Sequence, residues 1–85
     1  MAFAPESLTM AESAAVVSAG LQAVAAGETQ VDLASLQRFD STAVAALLEW
    51  QRAASAAGST LQISNLPEGI DSLARLYGVA HLLHR

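Results

Sequence analysis

The sequence predicts an α/β domain, a small mixed and mostly parallel sheet with helices packed against it. Short stretches that alternate apolar and polar residues take turns with longer runs at helical spacing, in the order strand, helix, strand, helix, strand, helix. That alternation is what parallel strands joined by crossover helices produce, and such crossovers are right-handed. The longer runs stop at Gly27, Gly58 and Gly78, where a residue free to turn left-handed ends a helix. The chain has 85 residues, 53% hydrophobic and 14% charged, which suits one domain with a thin core and is not a disordered composition.

Residues 3–8 (Phe3-Ala4-Pro5-Glu6-Ser7-Leu8) open the chain as a weak strand, which Pro5 should confine to an edge because proline has no amide hydrogen to donate. Thr9-Met10-Ala11-Glu12 has the form of a capping box, a hydroxyl and a carboxylate exchanging bonds with each other's amides. The run from Ala11 to Ala26 follows, with Ala14, Val17, Leu21 and Val24 as its apolar stripe. Gly20 inside that run costs about 1 kcal/mol against alanine and marks close approach to a neighbouring layer.

Thr29 to Leu33 alternates and reads as a strand, and Ser35 to Asp40 as a loop whose Leu36 and Phe39 dip into the core. Ser41 to Ala57 is the strongest helix, with Ala43, Leu47, Trp50 and Ala54 in one stripe widened by Val44 and Leu48. Thr60 to Ser64 is a strand again. Leu66-Pro67 begins a helix whose buried side is Ile70, Leu73, Ala74 and Tyr77, proline being suited to a first turn. The apolar tail from Val79 to Arg85 is either a short strand or a helical turn.

Several function classes are set aside at once. There is no cysteine, hence no disulfide, thiolate metal site or cysteine nucleophile. The net charge is −4 and the four basic residues, Arg38, Arg52, Arg75 and Arg85, are scattered, so neither nucleic acid nor an anionic membrane surface finds a basic stripe. No stretch reaches the length of a membrane span. Met1 to Pro5 lack the basic start of a secretion signal, and the cytoplasm is the expected location. No nucleophile elbow, dinucleotide fingerprint or P-loop occurs. His81 and His84 could share a helical turn, but no third ligand is fixed. The domain is expected not to be an enzyme and to need no cofactor.

One loop stands out. Phe39-Asp40-Ser41-Thr42-Ala43 joins a strand to the strongest helix. In open α/β sheets ligands gather beyond the carboxyl ends of strands, and a helix N-terminus offers free amides and the positive end of its dipole. A hydroxyl there is a handle for another molecule and a stable place for a phosphate. The plainer reading is that Asp40 or Ser41 only caps the helix.

Val31-Asp32-Leu33-Ala34-Ser35, then Phe39-Asp40-Ser41, then an Ala/Leu-rich helix, resembles the signature of the STAS family, named for sulphate transporters and anti-sigma factor antagonists. Members carry a strand of the V-D-L-S type, a loop ending in Asp-Ser or Asp-Thr, and a helix that begins at that hydroxyl. The resemblance covers roughly residues 6 to 83. It implies a small mixed sheet with helices against one face. Leu47-Leu48-Glu49-Trp50 and Leu73-Ala74-Arg75-Leu76-Tyr77-Gly78-Val79 are similar to the MlaB-type members, the STAS subunits of the lipid-asymmetry-maintenance phospholipid ABC system.

The resemblance implies a binding role without chemistry of its own. MlaB-like subunits sit in the cytoplasm on the ATPase subunit of the transporter, stabilise and activate it, and meet the inner membrane only through that complex. The family's key hydroxyl maps onto Ser41, with Asp40 and Thr42 carried over as neighbouring partner contacts. In the anti-sigma factor antagonists that serine is phosphorylated, and a phosphorylation switch at Ser41 is the alternative function. Where antagonists often follow the serine with a small flexible pair, Thr42-Ala43 stands here, and alanine stiffens the loop toward helix. STAS domains usually open with two strands, whereas only Phe3 to Leu8 precede the first helix here, so the N-terminal strand pair is shortened. An open sheet edge invites pairing, which makes a homodimer a further expectation.

The expected docking face is the start of the Ser41 helix together with exposed positions of the Pro67 helix. Trp50 is read as core, with an exposed anchor as the alternative. Tyr77 carries the same two readings, and Arg75 belongs to a solvated face.

Overall fold

The computed structural model describes residues 3–83. Its elements run β1 (Ser7–Leu8), α1 (Ser13–Ala25), β2 (Gln30–Asp32), β3 (Arg38–Phe39), α2 (Thr42–Ala56), β4 (Gln62–Ser64), α3 (Glu68–Leu76) and α4 (Ala80–Leu83). The strands pair in parallel, β1 with β3 and β2 with β4. Ser7 lies opposite Arg38 and Val31 opposite Ile63. A parallel bridge between Phe3 and Val31 joins the two pairs. Phe3 N donates to the Gln30 carbonyl at 3.0 Å, and Asp32 N to the Phe3 carbonyl at 2.8 Å.

This arrangement overturns the edge position expected for the opening segment. Residues 3–8 run between β2 and β3. Phe3 bonds to β2, while Glu6 and Leu8 accept from Gln37 N at 2.9 Å and Asp40 N at 3.2 Å. Pro5 falls between the two sets of bonds and is buried. A proline is tolerated inside a sheet where the segment exchanges one neighbour for another, because no donor is required at the exchange. The loop read over Ser35 to Asp40 likewise contains a strand, β3. Two residues are too short to show a period in sequence, and pairing with β1 makes them a strand.

The capping box at Thr9 does not form. Glu12 N donates to the Thr9 carbonyl at 3.0 Å in a turn. Glu12 then stands at the cap of α1 without a side-chain capping bond, and its carboxylate turns to Arg38 at 3.3 Å. The helix ends match the sequence closely. At α2, Gly58 takes φ 79°, its amide donates to the Ser55 carbonyl at 3.0 Å, and Ser59 N reaches the Ala54 carbonyl at 2.8 Å. These are the paired bonds of a Schellman motif, which satisfy carbonyls the helix leaves open. The same pair closes α1 at Gly27 and α3 at Gly78. The tail turns out helical as far as Leu83.

Helix α1 packs along α2, both touch β1, and α3 and α4 also reach α2. The buried core is Leu8, Val31, Leu33, Ala43, Val44, Leu47, Trp50, Ala54, Leu61, Ile70 and Ala74, with Val24, Ala46 and Leu83. Trp50 is 0% exposed, which decides its role as core. Its indole N–H donates to the Val17 carbonyl at 3.1 Å, and its ring meets Phe3 edge-on with centroids 5.3 Å apart. A buried indole needs such a partner. Of the stripe expected on α1, Val24 is in the core and Val17 and Leu21 pack against it. Ala14 alone is exposed, and Gly20 is buried against the Trp50 indole, which comes so close that an added Cβ would overlap it, the close approach expected of that glycine.

Candidate functional site

All four strands run parallel, so their carboxyl ends share one side, where Leu8, Asp32, Phe39 and Ser64 lead into loops. Two aspartates organise that side. Asp32 Oδ1 accepts from Asn65 Nδ2 and from Ala34 N, both at 2.9 Å. Asn65 is left-handed at φ 57°, a conformation asparagine tolerates better than most residues. The Asn65 side-chain bond, then the Ala34 amide, hold the Asp32 carboxyl below its ordinary pKa.

Asp40 ties the loop after β3 to the loop after β1. Its Oδ2 accepts from Met10 N at 2.9 Å. Its Oδ1 accepts from Thr42 N at 2.9 Å and from the Thr42 hydroxyl at 2.5 Å. The Thr42 hydroxyl, then the Met10 and Thr42 amides, hold the Asp40 carboxyl below its ordinary value, since each bond favours the charged acceptor. A carboxylate at the start of α2 is further favoured by the helix dipole.

The three residues singled out in the sequence thus separate into different jobs. Asp40 does the capping. Thr42, half-buried, spends its hydroxyl on Asp40, with the Leu8 carbonyl 3.4 Å away. Ser41 is exposed and makes no capping bond of its own. The structure therefore divides the two readings of this loop between neighbouring residues: the cap belongs to Asp40, and the Ser41 hydroxyl stands open to contact.

Beside Ser41 lies a shallow hollow of about 330 Å³ lined by Ser41, Val44, Ala45, Leu48, Tyr77 and Val79. Tyr77 is 54% exposed and Leu76 78%, so the tyrosine resolves opposite to Trp50 and stands at the rim. Its place follows from α3, whose Ile70 and Ala74 turn inward while the last turn carries Leu76 and Tyr77 outward. Arg75 pairs with Asp71 at 2.7 Å and is 72% exposed. Such a pair contributes little in water. Among the described residues no group of three or more His, Cys, Asp or Glu is placed to hold a metal ion. The His81 and His84 pairing lies outside them, since His84 is not described. No described helix is long and apolar enough to cross a membrane.

Sequence reasoning missed Met10, whose backbone is tied across 30 positions to Asp40, and nothing in the local pattern could have shown it. It also missed Gln51, which lies on the inward side of α2 at 7% exposure. A polar residue next to Trp50 and one helical turn past Leu47 was the available signal.

A family profile described as "Mlab, STAS domain" matches residues 5–84 of the chain. No curated protein and no solved structure matches.

Proposed function

Because the chain belongs to the STAS domain family, whose profile spans nearly all of it, we propose that it is a non-catalytic docking subunit that binds, stabilises and regulates the ATPase of a phospholipid-transport ABC system maintaining lipid asymmetry. The observation that carries this reading is the open Ser41 hydroxyl at the start of α2, beside the hollow that Val44, Leu48, Tyr77 and Val79 make apolar. An interface of this kind has an apolar centre, a polar rim and an aromatic anchor. Tyr77 supplies the anchor, and Ser41 supplies a hydrogen-bonding group that folding does not consume. Val44, Ala45 and Leu48 reach the hollow from α2, and Tyr77 and Val79 from the turn between α3 and α4.

On this reading the domain works in the cytoplasm and meets the inner membrane only through its ATPase. Ser41→Arg should abolish co-purification with the ATPase subunit while leaving the melting temperature within a few degrees of the parent, because Asp40 keeps the cap. Undiminished co-purification counts against the site. Collapse of the variant's fold assigns Ser41 to structure instead.

A further inference from the structure

The protein spends its few cations on itself. Eight carboxylates stand against four arginines, for a net charge of −4. Each described arginine is already engaged: Arg38 by Glu12 at 3.3 Å, Arg52 by Glu49 at 2.8 Å and Arg75 by Asp71 at 2.7 Å. Among the described residues no ion pair reaches Asp32, Asp40 or Glu68.

These three acids stand on the side of the sheet that bears Ser41. Asp32 ends β2, Asp40 follows β3, and Glu68 opens α3 beyond β4. Gly69 brings the start of α3 against the end of β3, since a Cβ built there would lie 2.8 Å from the Phe39 ring. Glu68 and Asp40 therefore flank one contact. Asp40 also covers the positive end of α2 by accepting from Thr42 N at 2.9 Å. The large apolar residues that the fold leaves in water gather on the same side. Among the described residues they are Met10, Leu76 and Tyr77. The Met10 amide is bonded to Asp40, Tyr77 lines the hollow beside Ser41, and Leu76 is its neighbour. Grouped apolar residues at a surface mark contact with another protein. A partner that covers them brings its own charges beside Asp40 and Glu68, where an anion is repelled and a cation attracted.

Resting on the docking reading above, we propose that the ATPase meets this side of the domain with a basic face: apolar side chains over Met10, Tyr77 and the hollow, and lysine or arginine beside Asp40 and Glu68. No described arginine is free to answer those carboxylates from within. The net negative charge also steers such a face during approach, over a distance that salt shortens to about 10 Å at about 0.1 M.

The test is the association kinetics of the full chain with the purified ATPase subunit, followed by surface plasmon resonance at increasing salt. Association should slow about tenfold between about 0.05 M and about 0.5 M salt, because ions screen the attraction. Glu68→Lys should slow association by about threefold to tenfold and leave dissociation little changed, as a charge at the rim of an interface does. Glu6→Lys makes the same change in net charge ahead of β1, at the amino side of the sheet, and should slow association by less than about twofold. Glu68→Gln removes the charge without opposing the α3 dipole and should slow association in the same direction, which covers a Glu68→Lys variant that fails to fold. Rates independent of salt, or equal slowing by Glu6→Lys and Glu68→Lys, overturn the basic face while the docking reading stands. Failure of the ATPase to bind at any salt overturns both.

Discussion

Asp40 shows how one side chain can release another. With its two oxygens on Met10, Thr42 N and the Thr42 hydroxyl, it takes over the capping duty that the residue types left equally open to Ser41. Its pKa is depressed in the folded chain, so the stabilisation it brings is complete above the ordinary value of 3.8 and is lost as pH falls through the lower, folded value. Asp32, depressed by Asn65 and Ala34, adds to the same window. We therefore expect acid unfolding to set in below about pH 4. Asp40→Asn, which still caps but does not titrate, should be less stable than the parent at pH 7 and nearly equal to it at pH 2 in thermal melts. A gap that persisted unchanged at pH 2 would remove the charge from this account.

At the scale of elements, two glycines do opposite things. Gly58 is needed for its backbone, at φ 79° with open space where a Cβ would stand. Gly58→Ala should cost about 1–2 kcal/mol from left-handed strain alone. That is a fall in melting temperature of roughly 4–8 °C per kcal/mol for a domain of this size. Gly20 is needed for its missing side chain. It sits mid-helix, where alanine would otherwise gain about 1 kcal/mol, but an added Cβ would overlap the Trp50 indole. Trp50 cannot withdraw easily, being held by Val17 and Phe3. Overpacking of this kind costs about 1–3 kcal/mol or more, so Gly20→Ala should lower the melting temperature in spite of better helix propensity. A rise would mean that α1 slides freely on α2.

For the whole molecule, the opening segment matters most. By running between β2 and β3 it leaves β4 and β3 as the outer strands among the described residues, three and two residues long. Edges this short offer few main-chain bonds. A homodimer through them should therefore appear only at high concentration, and a monomeric mass by light scattering at millimolar protein would dismiss it. The thin core makes the domain sensitive at its centre. Trp50→Ala should cost about 3–5 kcal/mol, a large part of the 5–15 kcal/mol typical of folded domains, and chemical denaturation would measure it.

The alternation of elements, the three helix ends, the inward face of α2 with Trp50 on it, and that of α3 except for Tyr77 were legible in the sequence. Each is set by residues within a turn or two of one another, through periodicity or through a glycine that alone accepts the left-handed cap. The loop carrying Asp40, Ser41 and Thr42 was legible too, as a place. The bonds by which Asp40 caps run to Thr42, two residues on, and Met10, 30 positions away, adds a bond to its other oxygen that no local pattern announces. Tertiary structure also decided that Pro5 lies inside the sheet, that Arg38–Phe39 is a strand, that Tyr77 turns outward, and that the Gln51 amide nitrogen is left without a partner. Each of these depends on what another segment of the chain brings alongside, and periodicity within a segment carries no information about its neighbours in space.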